Sequence, residues 1–167
     1  MPRSEGPADK ASQRSARAAA MMSPVNHSSA PRPLRVLVID DERDAVMTLG
    51  ILLRSEGIEV RLAHGGLQVP HAVAQFQPDA VLLDLALPDH CGLNVAQELK
   101  QCYGQRCPVL IAVTGHSTEA DRAKSATSGF QHHIAKPYDP DGLLKLVRSI
   151  EARADRVGEF VKACIPT

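Results

Sequence analysis

Arg35-Val36-Leu37-Val38-Ile39-Asp40-Asp41 is an apolar run broken off by two carboxylates. A run this short, rich in branched residues and without alternation, reads as a strand buried on both faces, as in a parallel sheet covered by helices. Similar runs follow at 58–63, 80–83, 109–113 and 130–135. Between them apolar residues recur at helical spacing: Val46, Leu49 and Leu53, then Val69, Val73 and Phe76, then Leu93, Ala96 and Leu99, and finally Leu143, Leu144, Val147 and Ile150. Strands alternating with helices in this way predict an α/β fold, a doubly wound parallel sheet with right-handed crossovers. The punctuation agrees. Asp139 before Pro140 is an N-cap with proline at the first helical position, Thr118 and Asp121 have capping-box spacing, and Gly57 and Gly129 stand where helices end.

In open sheets of this class ligands bind beyond the carboxyl ends of the strands. The first predicted strand ends in Asp40 and Asp41, the third in Asp84, the fourth in Thr114 and the fifth in Lys136-Pro137. Parallel strands bring all of these to one edge. Three crowded carboxylates repel one another unless a cation sits among them, and hard oxygen donors suit Mg²⁺. A carboxylate beside a divalent metal, a lysine and a hydroxyl is equipped to attack a phosphoryl group and keep it as an acyl phosphate. Each residue has an ordinary reading on its own: Asp40 and Asp41 as an N-cap pair, Thr114 as a strand end, Lys136 as a solvated lysine. Their joint placement favours the site.

At Val38-Ile39-Asp40-Asp41, Leu82-Leu83-Asp84-Leu85-Ala86-Leu87-Pro88 with Gly92, Val113-Thr114-Gly115, and Gly129 through Lys136-Pro137, the chain resembles response-regulator receiver domains. That resemblance implies a flavodoxin-like (βα)5 fold with strand order 2-1-3-4-5. It further implies that Asp84 accepts phosphate from a kinase histidine or a histidine phosphotransfer protein. Mg²⁺ would sit on Asp41, Asp84 and the Ala86 carbonyl, with Asp40 holding a metal-bound water. Thr114 and Lys136 would contact the phosphoryl group, and Lys136-Pro137 would be cis. Downstream partners in the family meet the fourth helix, fifth strand and last helix. The family commonly has Tyr or Phe three residues before the lysine, and here that position is His133. With Thr114 it is the candidate switch residue. Turned inward, its imidazole would couple phosphorylation to protonation; turned outward, it would lie on the partner face. The loop Asp89-His90-Cys91 is a second departure. The stretches around His116 and at Gly129–His133 are closest in flavour to receivers associated with hybrid histidine kinases.

The expected organisation is a disordered tail over 1–33, poor in large apolar residues, a receiver domain over 34–155, and a helix end or tail over 156–167. The basic residues of the first segment accompany Glu5 and Asp9, which weighs against a transit peptide, and Met21 or Met22 is an alternative start. Too little follows Ile150 for an output domain, so a single-domain response regulator is expected, acting through protein contacts as a monomer or weak dimer and catalysing only its own phosphorylation and dephosphorylation. Lys and Arg number 19 and so do Asp and Glu, which gives no case for nucleic acid as a partner. No run approaches the ~18 apolar residues of a membrane span. The four cysteines lack zinc-ribbon spacing and read as thiols, with a Cys102–Cys107 bridge disfavoured and the cytoplasm expected.

Two competing functions fit the residues less well. A haloacid-dehalogenase-type phosphatase also uses an Asp, a Thr and a Lys, but carries an acid two residues after the nucleophile, where this chain has Ala86. A degenerate receiver that merely binds would not need the intact site. His116, His132 and His133 are the histidines near the site, and neighbours on one strand point to opposite faces, so His132 and His133 do not share a pocket. His64, His71 and His90 read as surface or loop residues.

Overall fold

The computed structural model describes residues 32–115 and 117–150. The expectations for 1–31 and for the segment after Ile150, and the environment of His116, lie outside the described residues. Strands β1 (Arg35–Ile39), β2 (Glu59–Ala63), β3 (Ala80–Leu83), β4 (Val109–Thr114) and β5 (His132–Ala135) form one sheet in the order 2-1-3-4-5. Every pairing is parallel. Helices α1 (Arg43–Ser55), α2 (Val69–Phe76), α3 (Gly92–Tyr103), α4 (Glu119–Thr127) and α5 (Pro140–Arg148) make the crossovers. This is the flavodoxin-like arrangement expected from the alternation of runs.

Successive side chains of a strand point to opposite faces, so each central strand feeds two cores. Leu37, Ile39, Leu83 and Ala112 pack with α2 and α3 on one face. Val36, Val38, Leu82, Ile111 and Val113 pack with α1 and α5 on the other. Burial on both sides is why these strands show no alternation in sequence. The expected punctuation is in place. Thr118 and Asp121 form a reciprocal capping box at α4, and the Asp139 carboxylate accepts from the Gly142 N–H at 2.8 Å at α5. Gly57 and Gly129 take φ of 77° and 104° after α1 and α4, a region that favours glycine.

Boundaries differ in two places for a common reason. The Ile58 N–H donates to the Leu53 carbonyl at 3.3 Å and the Phe130 N–H to the Ser125 carbonyl at 3.1 Å. Both residues, apolar and adjacent to strands, are thus used to close the preceding helix, and β2 and β5 begin after them. The folded region also starts before Leu34. Arg32, assigned by composition to the tail, makes two 2.8 Å hydrogen bonds to the fully buried Asp79. Cys91 and the buried Cys107 take part in no disulfide, so no Cys102–Cys107 bridge exists. The expectation of thiols throughout fails at Cys102, which lies on the exposed side of the last turn of α3 and is disulfide-bonded.

Candidate functional site

Parallel register determines where the site lies. Ile39 is level with Leu83, Leu83 with Ala112, and Thr114 with Ala135. The residues that follow these positions therefore meet at one edge of the sheet. Asp40, Asp41 and Asp84 bring carboxylate oxygens within 4.8 Å of one another. Asp40 and Asp84 are buried, whereas Asp41 faces outward. Glu42 is the N-cap of α1 and makes no side-chain cap, so the aspartates are not tied up as helix caps in the ordinary way. Asp40 Oδ1 accepts from the Glu42 N–H at 3.0 Å, and Asp84 Oδ1 from the Ala86 N–H at 2.9 Å. One oxygen of each is anchored by backbone.

The other oxygen of each meets Lys136, which stands after β5. Its Nζ lies 2.6 Å from Asp40 Oδ2 and 2.7 Å from Asp84 Oδ2. Burial alone would push the ammonium's pKa down. The hydrogen bonds and charges of the two carboxylates outweigh it and push the value up to about 12. Lys136 is thus a cation that offsets two buried anions. Thr114, the last residue of β4, is 1% exposed. The Lys136-Pro137 bond is cis. The donor set fits a hard divalent ion such as Mg²⁺: carboxylate oxygens from two strands, one of them exposed and able to keep water nearby.

The approach of α3 shapes the loop after Asp84. A Cβ on Gly92 would lie 2.6 Å from the Asp84 carbonyl oxygen and 2.9 Å from Leu85 Cα. Only a residue without a side chain lets the helix start this close to the end of β3. The departure at 89–91 has a structural role that the sequence reading did not assign. Asp89 accepts from the N–H groups of Gly66 and Leu67 at 2.9 and 3.1 Å, which holds its carboxyl below the usual carboxylate range. His90 Nε2 lies 2.9 Å from Glu98. The loop that carries Ala86 is thereby fastened to the turn after β2. The adjacent glycines at 65 and 66, where a Cβ on Gly65 would sit 2.5 Å from Asp89 Oδ2, were the available signal.

Of the strand-five histidines, His132 is exposed and His133 is half-buried on the opposite face, beside Ala112 and beneath α4. His133 Nδ1 lies 3.1 Å from Ser125 Oγ. Burial, reinforced by the Arg122 charge and opposed by Asp121, lowers the ring's pKa and favours the neutral form. A cleft of about 200 Å³ opens beside Thr114, walled by Leu85, Cys91 and Leu93 on one side and by Asp121 and Lys124 of α4 on the other.

Residues 36–148 match the family model of the response regulator receiver domain. Among curated proteins, the DNA-binding response regulator MtrA of Mycolicibacterium paratuberculosis is 35% identical over 121 residues, covering 72% of this chain and 52% of the relative. The response regulator MprA of a Mycobacterium species is 31% identical over the same shares. The chain spans about half the length of these curated relatives. Among solved structures, a putative response regulator from Chloroflexus aurantiacus has a TM-score of 0.67 at 26% identity, covering 72% of this chain and 99% of that one. A receiver domain from Bermanella marisrubri has a TM-score of 0.64 at 28% identity, covering 70% and 96%.

Proposed function

The chain belongs to the response regulator receiver domain family of two-component signalling, and from that premise we propose that Asp84 accepts a phosphoryl group from the histidine of a kinase or of a histidine phosphotransfer protein. The observation that carries this reading is the pair of hydrogen bonds that the Lys136 ammonium donates to Asp40 and Asp84, which holds a cation beside the carboxylate that would attack. An Asp84 carboxylate oxygen forms the new bond to phosphorus as the bond to the donor nitrogen breaks, and the imidazole leaves. The Ala86 N–H fixes the rotation of the carboxyl group. Lys136 would offset charge on the phosphoryl oxygens, and the Thr114 hydroxyl, at the end of the neighbouring strand, would bond one of them. Asp40, Asp41, Asp84 and the Ala86 carbonyl would hold Mg²⁺, which when bound supplies positive charge against the transferring group.

The chemistry is performed on the chain's own side chain, so the output is a change in contacts with other proteins, in the cytoplasm. Among the described residues no helix is long and apolar enough to cross a membrane. DNA binding appears in the name of the MtrA relatives, of which the matched stretch is about half. For this chain, whose charges balance, the surface of α4, β5 and α5 is the proposed output. The test is labelling by a small phosphodonor with Mg²⁺, read by intact mass, for the wild type, for Asp84→Asn and with a chelator. Labelling of the wild type alone is expected. Equal labelling in all three overturns the assignment.

A further inference from the structure

Helix α4 is held to the sheet by very little. Ser125 is its one buried side chain. Its first turns stand over the cleft of about 200 Å³ rather than over packed side chains. Such an element opens at a lower free energy than the strands beneath it. What fastens its middle is the contact between Ser125 and His133.

The Ser125 hydroxyl donates to the Arg122 carbonyl at 2.8 Å. A hydroxyl has one proton, so the 3.1 Å contact with the ring is made by the Nδ1–H of His133 donating to Ser125 Oγ. The neutral ring then carries its lone pair on Nε2. That atom is buried and has no hydrogen-bond partner. A proton added there would become a buried N–H carrying part of a positive charge, with no acceptor.

We propose that His133 is a proton-sensitive latch: the neutral ring holds α4 against β5, and a proton taken at Nε2 releases α4 to solvent. Among the described residues, the charges that shift the ring are those of Arg122 and Asp121 on α4. Arg122 opposes the proton and Asp121 favours it, while strand β4 sets Ala112 level with His133. Burial and Arg122 prevail, so the ring's affinity for a proton is lower with α4 closed than with α4 open. By linkage the open form takes up the proton, and acid favours opening. The contribution to closure is complete above the free imidazole value of ~6.5 and is lost as pH falls below it towards the closed-state value. The latch does not depend on phosphoryl chemistry at Asp84, so either reading stands or falls without the other. It concerns one side of the surface through which output is proposed, and would make that surface responsive to mild acid.

Hydrogen exchange on the full chain between pH 5.5 and 7.5, corrected for intrinsic rates, tests it. Protection of the α4 amides is expected to fall from the upper to the lower pH by up to about tenfold, the limit for a ring that titrates near ~6.5 once free and takes up no proton while α4 is closed. Amides of β1 and β3 should not change. His133→Phe should remove the pH dependence. A wild type whose α4 protection is flat, a dependence that survives in His133→Phe, or a loss shared by β1 and β3 overturns the latch. Should His133→Phe fail to fold, Ser125→Ala takes its place. Its ring, followed by NMR, is expected to titrate closer to ~6.5 than in the wild type, and an unchanged titration overturns the proposal.

Discussion

Lys136 touches two carboxylates at once, and its removal affects more than a contact. Lys136→Met should leave Asp40, Asp41 and Asp84 crowded within 4.8 Å without the ammonium that offsets them. Like charges so close destabilise the fold, and a divalent ion is then the remaining way to relieve them. Added Mg²⁺ should raise the melting temperature of Lys136→Met by more than it raises that of the wild type. Equal shifts would show that the ammonium is not what offsets the carboxylates. The sign with pH follows from the raised pKa. Because the folded value is about 12 against an ordinary 10.5, the lysine's stabilisation is complete below 10.5 and is lost as pH rises through about 12. The gap in melting temperature between wild type and Lys136→Met, followed through that range, should therefore narrow on the alkaline side.

At the scale of elements, the start of α3 decides where the acceptor loop lies. Gly92→Ala would press a methyl group against the Asp84 carbonyl and the Leu85 Cα, both backbone, which cannot swing aside as a side chain would. A loss of about 2 kcal/mol is expected from urea denaturation, of the size seen for overpacking, together with slower labelling of Asp84 as the loop shifts. Full labelling speed in a destabilised Gly92→Ala would separate packing from positioning. Elements were legible in the sequence where burial is symmetric. The runs at 36–39 and 80–83 face helices on both sides, so every residue had to be apolar and the strands could be read directly. Ile58 and Phe130 were misread for the converse reason: they are apolar, yet their N–H groups close helices. Hydrophobicity reports burial, not which carbonyl an amide meets. The site residues were legible because each follows an apolar run directly. Asp89 was not, since nothing local distinguishes a carboxylate that caps a turn 22 and 23 positions earlier.

For the molecule as a whole, the buried pair of Arg32 and Asp79 marks where the fold begins. Asp79 is fully buried and also accepts from the Arg35 N–H at 2.8 Å. Starting the chain at Pro31 should therefore leave stability within ~2 kcal/mol of the full chain, less than the loss of a core side chain. Starting it at Leu34 removes the guanidinium that pairs with this buried carboxylate, at a cost of about 3 kcal/mol. Arg32→Ala in the full chain should reproduce that cost. If both truncations unfold at the same urea concentration, the pair is not what anchors the first strand. Composition could not reveal this, because the partners are 47 positions apart and the arginine lies among Ser, Ala and Pro.

The span of the Lys136 bonds also bears on the order in which the chain is made. Lys136 lies 96 positions after Asp40 and 52 after Asp84. As synthesis proceeds, β1 and β3 emerge long before the edge strand β5, and until it docks the three aspartates are gathered without their lysine. A half-made sheet thus carries the acidic cluster but lacks the cation beside the proposed acceptor. On this arrangement the proposed acceptor gains its cation only when the last strand docks.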